Sequence, residues 1–401
     1  MLYHFTHRYG DYRDQPMGSE NTSLPDVPLY RLDDPQYMVF PRYWVREEEV
    51  FLRTANVPPS IIKAYQSQNE TLALETLVMW LTGYHLNKGN EQVAANLMLK
   101  FHGSPFQSAV QDFKDWALAK SMEKEFPLTQ ADVDLIQQND TALGMAWALI
   151  KAKCPSWLLG WRDITNSTNE RTVVASILPL AGVGHKFPFI RLPHLAAPPS
   201  MSLLANLCSF VLDFITRQKL GGTSLTYFVL KQLPVCLPNT LRDISLWQME
   251  QGTLENWIAQ RTIELVYSSW ELSSLAHSLG YDGPPFRWDD GRHFLLRCEV
   301  DAAFFHVYGI ARDDVDYIME TFPIVKRNDE EKYGDYRTKC VILEIYDAMT
   351  EAIRTGQLYR TRLDPLPGPP TGELPDWPAG APQPQDWPPH IHPPRHVTKT
   401  R

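Results

Sequence analysis

The chain has 401 residues, enough for two or three domains, and 44% of them are hydrophobic, enough to bury a substantial core. No run of eighteen apolar residues occurs and the N-terminus has no signal-peptide pattern, so we expect no membrane span and a cytoplasmic protein. Five scattered cysteines without a CxxC pair speak against a zinc site. The net charge of −9 disfavours binding to nucleic acid only if the charge is evenly spread over the protein.

The charge is in fact unevenly distributed along the chain. Between Lys151 and Arg242 there are ten basic residues and only three acidic ones, an excess of +7. A phosphate-binding surface requires only a local excess of lysine and arginine. The sequence therefore predicts one basic face on an otherwise acidic protein.

Five segments follow from periodicity and composition. Residues 1–60 show little periodicity, and residues 61–155 carry apolar stripes at helical spacing, predicting a helical module. Residues 156–245 alternate strand and helix patterns, and residues 246–362 predict a second helical module. Residues 363–401 hold twelve of the 32 prolines, which predicts a disordered tail. The expected fold class is α+β, with helical modules flanking the mixed segment.

Within 156–245 the local patterns are distinct. The β-branched run from Arg171 to Pro179, a glycine turn and the extended Phe187–Pro193 predict a hairpin or a longer ribbon. Residues 200–220 predict one helix, capped by Ser200 or Ser202 and ended at Gly221. Residues 224–235 read as a strand that stops at Pro234. From Thr253 to Ser278 we expect a long helix.

Two short motifs resemble parts of an adenine methyltransferase site. Leu180–Gly184 offers a glycine turn, and Gly283-Pro284-Pro285-Phe286 imitates the Asn-Pro-Pro-Tyr that holds a flipped adenine. Glycine at 283 has no side chain to accept a hydrogen bond from the amine, and Pro188 makes a helix after Gly184 unfavourable. We therefore expect no catalytic residue and no cofactor site in this chain.

A binding constellation runs from the end of the predicted helix into the next segment. Two cations precede a Gly-Gly turn, whose amides can approach phosphate closely, and hydroxyl side chains follow. An alternative is a plain helix cap whose cations complement the dipole. With the nearby basic positions, the candidate DNA-contacting residues are Arg171, Lys186, Arg191, Arg217, Lys219, Gly221, Gly222, Thr223, Ser224, Tyr227 and Lys231.

Several long phrases carry a family resemblance. Residues 170–190 and 203–235 resemble the target-recognition region of large N6-adenine DNA methyltransferases of the type IIG restriction–modification and phage-defence class. Residues 157–173 resemble the entry to that region, residues 295–349 the helical segment that follows it, and residues 1–12 the end of the catalytic half. The resemblance covers roughly residues 1–362 and includes none of the catalytic motifs.

The resemblance implies recognition of double-stranded DNA for site-specific adenine methylation. The catalytic half or subunit, carrying S-adenosylmethionine, is then a partner, and helicase or nuclease components of a defence system are further possible partners. The chain is expected to be a fragment, a split subunit or a truncated enzyme. Two alternatives stay open: a complete S-adenosylmethionine-dependent enzyme with degenerate motifs, and an interaction scaffold of a defence complex.

Overall fold

A computed structural model gives the fold of residues 3–14, 26–41, 44–86, 106–120, 129–190, 197–236, 238–243, 246–247 and 252–395. Helices dominate these residues, and one small three-stranded antiparallel sheet accompanies them. The predicted α+β class is confirmed.

The chain forms two compact units. Residues 45–155 make one unit, and residues 1–44 together with 156–401 make the other. We call them the helical unit and the main unit. The five segments expected from the sequence are thus grouped into two, and the polypeptide enters and leaves the helical unit near Val45 and Pro155.

The helical unit is built around its own apolar core, to which Phe113, Leu77 and Ile136 contribute fully buried side chains. A capping box starts the helix Gln130–Gln137: the Thr129 side chain accepts from the amide of Asp132, and the Asp132 carboxylate accepts from the amide of Thr129. Among its described residues the helices are Glu47–Thr54, Pro59–Gln66, Glu70–Leu86, Phe106–Lys120, Gln130–Gln137 and Ala142–Ala152.

The sheet of the main unit has the order β2-β1-β3. Strand β1 is Trp157–Trp161, β2 is Ala175–Pro179 and β3 is Phe189–Ile190. Trp157 faces Pro179 in the antiparallel register with β2, and Gly160 faces Phe189 in the register with β3. The expected β2–β3 hairpin was wrong: both strands pair with β1, which lies between them.

The helix expected over 200–220 is two helices, Ala197–Cys208 and Phe210–Lys219, bent by 60°. Ser209 is the reason, because its hydroxyl accepts from the amide of Leu212 and starts a new helix. The carboxylate of Asp301 accepts from the amide of Phe210 at 2.7 Å, which satisfies another amide at the break.

The segment expected to be a strand over 224–235 is instead an irregular stretch with one short helix, Tyr227–Leu230. The long helix expected over 253–278 is Leu254–Val266, a 3-10 turn at Trp270–Leu272 and Ser273–Ser278. The other helices that the structure describes in the main unit are Leu29–Leu32, Pro238–Asp243, Asp290–Val307, Arg312–Glu320, Pro323–Tyr333 and Arg337–Thr355, with a 3-10 turn at Tyr12–Asp14.

The expectation of a disordered C-terminal tail was wrong for residues 363–395. Trp387 and Ile391 are buried in the main core, and Ile391 forms a β-bridge with Phe286. The Arg292 guanidinium donates to the carbonyl of Pro365 at 2.9 Å and forms an ion pair with Glu264, which also accepts from the amide of Gly368. Proline blocks helix and strand but carries little conformational entropy to lose, so tryptophan burial suffices to order this segment.

Candidate nucleic-acid interface

The residues that follow the helix Phe210–Lys219 lie against the end of β1. The amide of Thr165 donates to the carbonyl of Thr223 at 3.1 Å, and the amide of Leu225 donates to the carbonyl of Asp163 at 2.8 Å. These two bonds flank an antiparallel bridge between Ile164 and Ser224. The residues that follow the predicted Gly-Gly pair are therefore attached by backbone hydrogen bonds to residues 163–165, just after β1.

Tyr227 fixes the short helix that follows. Its hydroxyl donates to the carbonyl of Phe189 at 2.8 Å and accepts from the amide of the same residue at 3.1 Å. Its ring meets Trp161 edge-on, with centroids 4.9 Å apart, and the Trp161 indole donates to the carbonyl of Leu225 at 2.6 Å. The side chain of Leu225 is fully buried, which adds an apolar attachment.

Gly221 and Gly222 are exposed at the start of this segment. Neither has a positive φ, and a Cβ built at either position would meet nothing within 4 Å. Within the part of the chain that the structure describes, their amides donate no hydrogen bond. Neither backbone conformation nor internal packing therefore requires glycine at positions 221 and 222.

Three candidate cations are exposed near this segment. Lys186 pairs with Asp163 at 2.9 Å while remaining 48% exposed, so it lies beside the 163–165 edge that receives the glycine segment. Lys219 and Lys231 are exposed at either end of the segment and form no ion pair among the described residues. We call Ile164, Lys186 and residues 219–232 the turn surface.

Two predicted contact residues point inward instead. The Arg171 guanidinium pairs with Asp213 at 2.9 Å and stacks over the Phe210 ring, 3.9 Å from its centroid. Arg217 pairs with the same carboxylate at 3.3 Å and stacks on Phe322 at 3.9 Å. Burial lowers the pKa of Arg217 from its ordinary value, and Asp213 opposes that shift. Both side chains are at least nine-tenths buried, so neither guanidinium group is available for a two-pronged contact with a ligand.

Arg217 also holds two distant segments together. Its guanidinium donates to the carbonyls of Asn169 at 2.7 Å and Glu170 at 2.9 Å, and to that of Thr321 at 3.0 Å. The interpretation of Arg217 as a guanine-reading residue is corrected by these bonds, because all its polar edges face protein. Arg191 lies outside the described residues.

The local charge excess is accordingly smaller at the surface than in the sequence. Of its ten cations, Arg171 and Arg217 are buried, Lys153 pairs with Asp132 at 2.6 Å, and Arg242 pairs with Glu255 at 2.8 Å. Asp132 and Glu255 lie outside the counted stretch, so the count could not include them. On the turn surface the exposed positive charges are those of Lys186, Lys219 and Lys231.

Two exposed apolar side chains on the turn surface were missed by the sequence analysis. Phe228 is 75% exposed and Ile164 is 53% exposed. Their neighbours, Leu225 and Leu233, are buried. In the strand expected over 224–235, successive side chains would point to opposite faces. No sequence pattern predicts the single helical turn that begins at Tyr227.

Of the two methyltransferase-like motifs, Gly283–Phe286 is packed into the main unit. Phe286 of the Gly-Pro-Pro-Phe motif is fully buried and stacks on Tyr281 with centroids 5.6 Å apart, so its ring cannot stack on a base. A Cβ at Gly283 would lie 2.4 Å from the Tyr281 ring. Gly184 leads into β3 without a helix. Neither motif forms the geometry that a cofactor or a flipped adenine requires.

Other chemistry is sparse among the described residues. No cluster of three or more His, Cys, Asp and Glu side chains there could hold a metal ion. No single described helix is both long and apolar enough to cross a membrane, and the pair that passes jointly is the bent pair at Ser209. In comparisons with known proteins, no family model, no curated protein and no solved structure matches the chain.

Proposed function

We propose that the turn surface binds double-stranded DNA and that this chain supplies target recognition to a separate N6-adenine methyltransferase in a cytoplasmic restriction or phage-defence complex. In this proposal the sheet and the turn surface form the recognition part, and helical parts flank it. S-adenosylmethionine belongs to the catalytic partner.

The observation that carries the DNA-binding proposal is the pair of exposed glycines with free amides. Successive backbone N–H groups without internal partners are available as donors to phosphate oxygens. A Cβ at Gly221 or Gly222 would disturb nothing inside the protein, but it would add bulk beside these amides. Lys219 on one side and the Thr223 hydroxyl on the other add a charge and a further polar group of the kinds that contact the DNA backbone.

The decisive experiment replaces both glycines. Because their φ angles suit alanine, Gly221→Ala with Gly222→Ala should keep or slightly raise stability, by about 0.4–1 kcal/mol per site. Fluorescence anisotropy with a labelled duplex should show about tenfold weaker binding, since one hydrogen bond to a charged oxygen contributes about 1.5 kcal/mol. Unchanged affinity in a stable double variant would contradict the proposal.

Salt dependence gives a second readout with a matched control. Lys219→Ala and Lys231→Ala should each reduce the slope of log K against log salt by about 0.9, the value for one lost phosphate contact. Lys63 is an exposed lysine of the helical unit, and Lys63→Ala makes the same charge change there. Equal effects of all three substitutions would indicate general charge attraction rather than a defined surface.

The methyltransferase part of the proposal rests on the sequence resemblance and on the structural roles of Gly283 and Phe286. We expect the isolated chain neither to bind S-adenosylmethionine nor to transfer methyl groups. Titration calorimetry that detected a micromolar cofactor site would contradict this and favour a complete enzyme.

A further inference from the structure

We infer that Phe228 is a wedge that inserts between two base pairs of the bound duplex and unstacks them. This inference rests on the proposed DNA binding and names the side chain that deforms the DNA. Aromatic and aliphatic wedges of this kind kink a duplex by parting one base step.

The Phe228 ring is mostly exposed to solvent in the free protein. Phe228 is 75% exposed, the highest exposure among the large hydrophobic side chains of the described residues. Most of the stabilisation that burial of a phenylalanine side chain provides is therefore missing in the free protein. Insertion of the ring between two bases would remove it from water and stack it on both bases.

The backbone segment that carries Phe228 is attached on both sides, as an inserting side chain requires. Phe228 lies in the turn Tyr227–Leu230. The hydroxyl of Tyr227, the residue just before it, forms two hydrogen bonds with the backbone of Phe189. Leu233, just beyond the turn, is buried, and its amide bonds to the carbonyl of Leu230 at 3.1 Å. Because both ends are fixed, the backbone that carries the ring has little freedom to lose when the ring inserts.

The charges beside the ring match a phosphate backbone. Lys231 lies three residues after Phe228 at the end of the same turn, a spacing that places two side chains on one face of a helix. It is exposed and makes no ion pair among the residues that the structure describes. In bound DNA, the Phe228 ring would lie at a base step and Lys231 would lie near the phosphate beside that step. An apolar protein partner would instead leave Lys231 without a counter-charge.

The experiment uses the full chain and a 24-base-pair duplex in which 2-aminopurine replaces adenine at TpA steps, the steps that unstack most readily. At saturating wild-type protein we expect the 2-aminopurine fluorescence to rise, because unstacking relieves its quenching. Phe228→Ala should lose this rise at saturation and weaken binding about tenfold. Phe228→Leu should restore part of both, since leucine also serves as a wedge.

Controls separate this inference from the proposed function. Lys231→Ala should weaken binding yet keep the fluorescence rise once the duplex is saturated, and Tyr317→Ala, which removes another exposed ring, should change neither quantity. If the wild type binds and Phe228→Ala shows the same rise, the wedge is overturned and DNA binding stands. If the wild type does not bind the duplex at all, both the wedge and the proposed function are overturned.

Discussion

Replacing Arg217 by alanine distinguishes a guanidinium that holds the fold from one that reads DNA. In the structure its side chain is 9% exposed and bonded to Asp213 and to three backbone carbonyls of two distant segments. Removing one partner of a buried ion pair costs about 3–5 kcal/mol. Asp213 keeps Arg171 and the amide of Thr172, so its charge stays compensated. We therefore expect a loss near the lower end, about 3 kcal/mol.

Urea denaturation followed by tryptophan fluorescence measures this loss as a fall in the midpoint at constant slope. Lys219→Ala is the matched control, since it removes a cation two residues away that is exposed, and it should change stability by less than about 0.5 kcal/mol. The expected pattern is a stability defect in Arg217→Ala and a DNA-binding defect in Lys219→Ala. A stable Arg217→Ala variant that binds DNA poorly would refute the buried role and restore a direct contact.

Three further predictions concern other parts of the main unit. Trp387→Ala should destabilise the protein by about 3–5 kcal/mol, measured by calorimetric melting, because its buried ring packs on Trp377; a wild-type melting temperature would contradict an ordered C-terminal segment. Burial lowers the pKa of His293 to about 3, below its unfolded value of 6.5, so its contribution is complete above pH 6.5 and declines as the pH falls. Denaturation at pH 7 and pH 5 should show wild type losing about 2 kcal/mol more than His293→Asn, whereas equal losses would count against a buried neutral imidazole. Gly283→Asn should lower the melting temperature, because its Cβ would collide with Tyr281, and should give no methyl transfer in a radiolabel assay; detectable transfer would show a latent active site.

Local patterns predicted those parts of the fold that local chemistry determines. The α+β class of the fold is confirmed, and the described part of residues 61–155, where apolar residues recur at helical spacing, is largely helical. The break at Ser209 depends on a single hydroxyl that caps a new helix, and the periodicity continues across it. Pattern reasoning therefore joined two helices into one.

The long-range errors have a different cause. Arg217 is buried because it bonds to a carbonyl 104 residues away, and sequence alone shows only that it is basic and near a glycine pair. The C-terminal segment was misjudged because proline density excludes regular hydrogen bonding but not burial of tryptophan. In the candidate site, the glycines and Lys219 are still proposed to contact DNA. Phe228 was not among the predicted contacts, because its exposure depends on the turn Tyr227–Leu230, which no local sequence motif predicts.

Photo-crosslinking tests the DNA-binding proposal most directly. A benzophenone amino acid is introduced at Gln232, an exposed position of the turn surface, and in a second variant at Ile353, which is exposed on the helix Arg337–Thr355. Both variants are irradiated with the same labelled duplex at a concentration that saturates the wild type. We predict a crosslink from position 232 and none from position 353. Crosslinking from position 353 with none from position 232 would contradict the assignment of the turn surface as the DNA-binding site.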